Sequence, residues 1–193
     1  MLTEIRIYYE GDAQLKPGFA EFFRELSEKA RARKCRLRLI SSKGTACGDF
    51  GKAIETHTEA WNILLMDSEK PYAPNFSVAL CKREHWDKSH ADSIFWMVEM
   101  MESWFHADKD ALEFFYGVGF RRKALKANPQ VEQIAKKDLK TGLQSATKDT
   151  ARGNYFDHKT SHGPKILACI DPLRVRKAAP NCRALFEAVL AKL

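Results

Sequence analysis

The chain opens with alternating runs of apolar and polar residues. Residues 4–9 (EIRIYY) carry aliphatic and aromatic side chains suited to a strand and stop at Glu10-Gly11-Asp12, a turn signal. Beyond Pro17 and Gly18, residues 19–34 set Phe19, Phe22, Phe23, Leu26 and Ala30 on one face at the helical period, which predicts a helix. Residues 36–40 (RLRLI) alternate and predict a second strand, closed by a turn over 41–44. Residues 49–59 read as helix. The run WNILLM, residues 61–66, is short, continuously apolar and bounded by polar residues, as a strand buried on both faces would be. The order is βαβαβ.

Further along the pattern weakens. Residues 70–92 hold Pro71, Pro74 and many polar positions and read as a long loop reaching Trp86. Residues 94–98 (IFWMV) suit either a fourth strand or a helix start; we read a strand followed by a helix beginning near Glu102. Asp108 stands where an N-cap would for a helix over 109–116, which Gly117 would end. Asn128-Pro129 resembles another helix start. Residues 146–165 are poor in apolar side chains and read as an exposed loop, with helical material again at 166–170 and 181–192. The expected architecture is α/β: a mostly parallel sheet flanked by helices in residues 1–120, and a basic, mainly helical extension, 121–193, packed on the same domain.

No apolar run reaches the ~18 residues of a spanning helix. The start, MLTEIRIYYEGD, has neither the basic flank nor the apolar stretch of a signal peptide, so a cytoplasmic protein without membrane contact is expected. Five cysteines, Cys35, Cys47, Cys81, Cys169 and Cys182, are scattered without a C-x-x-C pair, which gives neither a disulfide framework nor a zinc site. The net charge of +7 is unevenly spread. Residues 121–193 hold 16 Lys and Arg against 6 Asp and Glu, a net of +10, and residues 1–120 hold 16 against 19, a net of −3. An acidic front with a basic back suits an enzyme acting on a polyphosphate, because cations hold the ligand backbone while carboxylates hold metal ions.

The acids that interest us most follow strand ends. In a sheet of parallel strands, ligands bind at the carboxyl edge, and Glu10, Asp67 and Glu69 all fall there, one after the first strand and two after the third. Magnesium favours a few carboxylates completed by phosphate oxygens and water. Acids after strands also serve as turn and helix caps, and spacing alone does not separate the two readings.

The run IYYEG, followed one βα unit later by ILLMDSE, resembles the Toprim pattern of a strand-terminal glutamate and a later D-x-D pair. More specifically, with MVEMMESWFHAD at 97–108 and HGPKILACIDPLRV at 162–175, the chain resembles a small Toprim-like family of unknown function encoded beside ATPases in bacterial defence loci. The Toprim nuclease subunit of the PARIS anti-phage system is among these relatives. Glu69 departs from the pattern, standing where Toprim generally has aspartate.

The resemblance implies a nuclease with Glu10, Asp67 and Glu69 binding magnesium, or manganese in its place, and with Glu10 available as general acid or base. Glu102, within MESWF, resembles a glutamate near the active site of another Toprim nuclease branch and would complete the metal site. Lys159 would stabilise charge on phosphorus, and Arg152, Lys159 and His162 are the candidate nucleic-acid contacts. The implied partners are nucleic acid (RNA, transfer RNA included, or DNA), an ATPase encoded nearby that holds a toxin-like effector inactive until infection, and a second copy in a homodimer. The alternative is a Toprim-like subunit without catalysis that binds or regulates. Trp61, Trp96, Trp104 and the Phe19, Phe22 and Phe23 cluster are expected in the core; Trp86, in the predicted loop, is the aromatic most available for stacking on a base.

Overall fold

The computed structural model describes residues 2–42 and 44–193. Four strands, β1 (Glu4–Tyr9), β2 (Arg36–Ser41), β3 (Trp61–Asp67) and β4 (Ile94–Met97), form one all-parallel sheet in the order β2-β1-β3-β4. β1 pairs Ile7 with Leu39 of β2 and with Ile63 of β3, and β3 pairs Leu65 with Phe95 of β4. The chain leaves β1 in one direction to build β2, then crosses back past β1 to build β3. Right-handed crossovers running in opposite directions put their helices on opposite faces. Accordingly α1 (Lys16–Phe22) and α2 (Arg24–Ala32) cover one face, and α3 (Ala46–Thr56) and α4 (Phe76–Glu84) the other.

The two-residue period of the strands divides the core. Ile5, Ile7, Tyr9, Ile63 and Leu65 meet Phe19, Phe22, Phe23 and Leu26 on the first face; Tyr8, Leu64, Ile94 and Trp96 meet Phe50, Ala53, Leu80 and Cys81 on the second. The remaining helices are α5 (Glu102–Ala107), α6 (Lys109–Tyr116), α7 (Lys136–Thr147), α8 (Lys159–Cys169), α9 (Pro172–Ala178) and α10 (Pro180–Lys192). Their apolar residues, among them Leu139, Leu143, Ile166, Leu167 and Phe186, join the first cluster. The segment 121–193 is therefore part of the core that contains β1.

Five of the sixteen C-terminal cations are engaged in pairing that segment with the acidic front. Arg122 pairs with Asp110 and Glu113, Arg174 with Asp108 and Asp110, Arg176 with Glu25, Lys136 with Glu69 and Lys159 with Glu102. Positive side chains read as a nucleic-acid grip serve, at these positions, as staples to the acidic front. Among the described residues no helix is long and apolar enough to cross a membrane, and the five cysteines are free thiols.

Several expectations meet corrections. The predicted 19–34 helix begins earlier, at Lys16, and breaks at Phe23 (φ −96°, ψ 17°), which lets Phe19, Phe22 and Phe23 all be buried. The long loop over 70–92 contains α4 and a 3-10 segment at Lys88–Ser93, because Phe76, Leu80 and Cys81 share one helical face that covers β4; Pro71 and Pro74 merely precede it. Trp86 is no open platform: its ring meets Phe50 edge-on at 5.0 Å and lies against Gly51. Asn128-Pro129 starts no α-helix; Asn128 accepts from the Gln130 amide in a turn that leads into a short 3-10 segment, Val131–Gln133, and α7 begins at Lys136. The supposed exposed loop 146–165 holds fully buried Tyr155, buried His162 and the first turns of α8. The strand at Ile94–Met97, the helix from Glu102, and the Asp108 cap, which accepts from the Ala111 amide, are as read. The turn over 41–44 includes Lys43, outside the described residues.

Candidate active site

The reversal of strand order between β1 and β3 opens a crevice at the carboxyl edge of the sheet, where open α/β sheets bind ligands. Glu10 is the first residue past β1, and its amide continues the ladder by donating to the Leu65 carbonyl (2.9 Å). Gly11 follows with φ +145°, and a Cβ there would lie 2.5 Å from Leu15 Cδ1, so the turn that aims Glu10 needs glycine. Glu10 Oε2 accepts from the Asp67 amide (3.2 Å) at the end of β3, and Asp67 Oδ1 accepts from the Met101 amide (2.9 Å). Two carboxylates far apart in sequence are thus locked across the switch point by main-chain donors.

Beneath them lies Glu102, the first residue of α5, with no exposed surface. Its Oε1 accepts from the Tyr155 hydroxyl (2.7 Å) and is ion-paired with Lys159 Nζ (2.8 Å); its Oε2 is buried without a hydrogen-bond partner. Lys159, Glu10, Asp12, Asp67, Met101 and Thr160 line a cavity of about 230 Å³. Lys159 is held there because α8 is seated tightly on α1: a Cβ on Gly18 would lie 2.5 Å from the Pro164 carbonyl oxygen.

The electrostatics are those of crowded carboxylates. Burial, followed by the negative charges of Glu102 and Glu10, holds the Asp67 carboxyl well above its ordinary range, with Lys159 opposing. Burial and then Glu102 push the Tyr155 hydroxyl upward, so it remains a protonated donor. For Lys159, burial acts downward but is outweighed by Glu102, Asp67 and Glu69, which leaves the ammonium more firmly charged than usual. Among the described residues no three His, Cys, Asp or Glu side chains are gathered for coordination; the nearest counter-charge to Glu102 is the Lys159 ammonium. The donor set nonetheless suits a hard divalent cation: it offers oxygens alone, it is over-supplied with negative charge, and one buried carboxylate oxygen lacks any donor.

Glu69 stands apart from this group. It is exposed, has φ +62°, is ion-paired with Lys136, and lines a neighbouring cavity that shares Asp67 with the first. Glu99 also has positive φ (+64°), uncommon for glutamate. Ser68 sits beside both: its hydroxyl accepts from the Glu99 amide (2.8 Å) and donates to the Lys70 carbonyl (2.6 Å). Such backbone conformations persist where neighbouring contacts over-determine them.

Arg152 and His162 are engaged elsewhere. Arg152 Nε donates to the Phe115 carbonyl (2.6 Å), with its guanidinium 4.5 Å from the centre of that ring. His162 meets the Tyr116 hydroxyl at 3.1 Å, and burial followed by nearby positive charge holds its imidazole toward the neutral form. The structure therefore brings Glu10, Asp67, Glu102 and Lys159 together, sets Glu69 at the rim, and uses Arg152 and His162 to join α6 to its neighbours. Sequence reasoning missed Tyr155 and Ser68. The one available signal for Tyr155 was an aromatic residue directly after Asn154, whose side chain caps the 3-10 turn by accepting from the Phe156 amide.

No curated protein and no solved structure matches the chain. Residues 12–190 match the family described as a domain of unknown function, DUF4276. The matched span takes in Asp67, Glu69, Glu102, Tyr155 and Lys159 and starts two residues after Glu10. The chain therefore belongs to the DUF4276 family.

Proposed function

We propose that the protein is a magnesium-dependent nuclease that hydrolyses phosphodiester bonds of nucleic acid. The observation that carries this reading is the buried, partnerless Oε2 of Glu102 beneath Glu10 and Asp67, at the topological switch point. A buried carboxylate oxygen without a donor is costly, and Tyr155 and Lys159 reach only the other oxygen. Glu10 and Asp67, which lie on the cavity wall, would hold magnesium, with Glu102 drawn in from behind them as a third oxygen donor; the ion would supply positive charge toward a phosphodiester and acidity toward water.

The chain's own groups have distinct parts. Lys159, firmly protonated and reaching the cavity, donates to the phosphate oxygens as negative charge gathers on phosphorus. Tyr155 fixes the rotamer of Glu102 by donating to Oε1, and the Met101 amide does the same for Asp67 Oδ1. Glu10, tied to the Asp67 amide through Oε2, keeps its other oxygen for a water or a proton. On the resemblance set out above, the sheet is a Toprim-type core, and the nuclease is the effector of an ATPase-associated anti-phage system in the cytoplasm. It would be restrained by its ATPase partner and active as a homodimer, with transfer RNA among its substrates.

The test is cleavage of labelled transfer RNA, other RNA and DNA by the purified protein and by Glu10→Ala, Glu102→Gln and Lys159→Ala variants, with magnesium or with chelator. Magnesium-dependent cutting that is lost in each variant is the expected result. A folded wild-type protein that cuts nothing, with or without a neighbouring ATPase, would leave a binding subunit as the better account.

A further inference from the structure

Asp67 forms part of the wall of two cavities. The second, of about 440 Å³, lies between β3, β4 and α4 and is lined by Met66, Lys70, Phe76, Leu80, Arg83 and Trp96. Its composition is unlike that of the first. Phe76 and Trp96 meet edge to face at 5.8 Å and 77°, and half-exposed Tyr72 extends the aromatic wall outward, 5.6 Å from Phe76 at 64°. Trp96 is fixed by its indole N–H, which donates to Ser77 Oγ (3.0 Å); that hydroxyl in turn donates to the Ile94 carbonyl (3.2 Å). The Lys70 ammonium lies over a face of the Phe76 ring, 5.0 Å from its centre, so a flat ligand takes that face by displacing an exposed, flexible lysine. Arg83, which also pairs with Glu84, and Lys70 place positive charge at the mouth, while Asp67, Ser68 and Glu69 supply acceptors on the side of the first cavity.

Trp96 is only 6% exposed and backs the cavity, so the accessible aromatic surface is that of Phe76 and Tyr72. With cations at its mouth, beside the proposed phosphodiester-cleaving centre, the cavity has the chemistry of a nucleotide site: the base takes those two rings and the flanking phosphate takes the cations. Resting on the proposed nuclease reading, we propose that this cavity binds the unstacked base of the nucleotide next to the scissile phosphate. Because Asp67 borders both cavities, a base in one sets its phosphate against the other. A base paired in a duplex cannot enter without leaving its stack, so the substrate is an unpaired stretch, such as a loop or single strand.

The experiment follows the indole N–H resonances of the 15N-labelled protein during titration with each of the four nucleoside 5′-monophosphates and, as control, ribose 5-phosphate. Trp96 should shift saturably with the nucleotides and not with ribose 5-phosphate, while Trp61, whose indole donates to Ser93 Oγ, reports an intact fold. Phe76→Leu keeps apolar volume but removes the ring face, and Arg83→Gln removes a surface cation; either should weaken the titration by roughly tenfold or more, the usual worth of one stacked base. Equal shifts with ribose 5-phosphate, an unmoved Trp96, or variants that titrate like wild type would overturn the proposal. Cleavage in parallel separates the two ideas. A saturable Trp96 shift in a protein that cuts nothing keeps the base site and sinks the nuclease. Cutting of duplex as fast as single strand, with KM unchanged in Phe76→Leu, keeps the nuclease and sinks the base site.

Discussion

Asp67→Asn should make the metal-free protein more stable while abolishing the proposed cleavage. The aspartate carboxylate sits among Glu102 and Glu10, and its proton affinity is raised first by burial and then by those two charges. The native state therefore binds more protons than the unfolded one at pH values above the ordinary aspartate range, and stability falls as pH rises through that window. Asparagine removes the charge and keeps an oxygen for the Met101 amide that now donates to Oδ1. Relief of one crowded, partly desolvated charge amounts to about 1–2 kcal/mol, by analogy with the penalty for a poorly compensated buried polar group. For a domain of this size that is about 2–8 °C in Tm. Thermal melts at pH 7 in chelator should show the variant melting higher, and the gap should close below the ordinary aspartate pKa. Added magnesium should raise Tm for the wild type and leave the variant nearly still, since a ligand stabilises only the state that binds it. A variant that melts below wild type at pH 7 without metal would refute the argument that this centre is electrostatically frustrated.

Three further outcomes follow from the same contacts. Burial lowers the His106 imidazole to about 4, so between pH 6.5 and 4 the unfolded chain binds the extra proton and stability should fall with pH, by up to about 3 kcal/mol; urea titrations of wild type and His106→Gln should diverge over that interval. Tyr155→Phe keeps the ring packed on Phe105 but takes from Glu102 its hydroxyl donor, which should destabilise by about 1.5–3 kcal/mol and reduce turnover more than substrate affinity. Gly18→Ala should cost about 1–3 kcal/mol by driving α1 off the Pro164 carbonyl, whereas Gly48→Ala, with nothing within 4 Å of the new methyl inside α3, should be neutral or stabilising by about 0.5–1 kcal/mol in chemical denaturation.

The parts of this molecule legible in its sequence are those where local pattern and tertiary role agree. The alternation of β1 and β2, the double-faced burial of WNILLM, and the Asp108 cap each follow from a period or a capping rule that the tertiary structure leaves in force. That Glu10 and Asp67 would meet was readable for the same reason, since the topology sends strand ends to one edge. Segments that owe their conformation to distant partners were not legible. Residues 146–165 look solvated because Tyr155 is their one large fully buried side chain, and its partner, Glu102, lies 53 positions away. Glu69 matched the acidic pattern by position, yet its positive φ and the pull of Lys136, 67 residues on, turn it to the rim. The basic C-terminal charge was visible as a sum, and only the ion pairs reveal where it is used.

The parts of the centre arrive at very different times during synthesis. Glu10, Asp67 and Glu102 leave the ribosome well before Tyr155 and Lys159, and the first-face core is not closed until Phe186 and Val189 have followed. A nascent or prematurely ended chain thus carries the acids without the hydroxyl and ammonium that steady them, and without the helices that bury them. The centre is assembled only after translation has passed Val189.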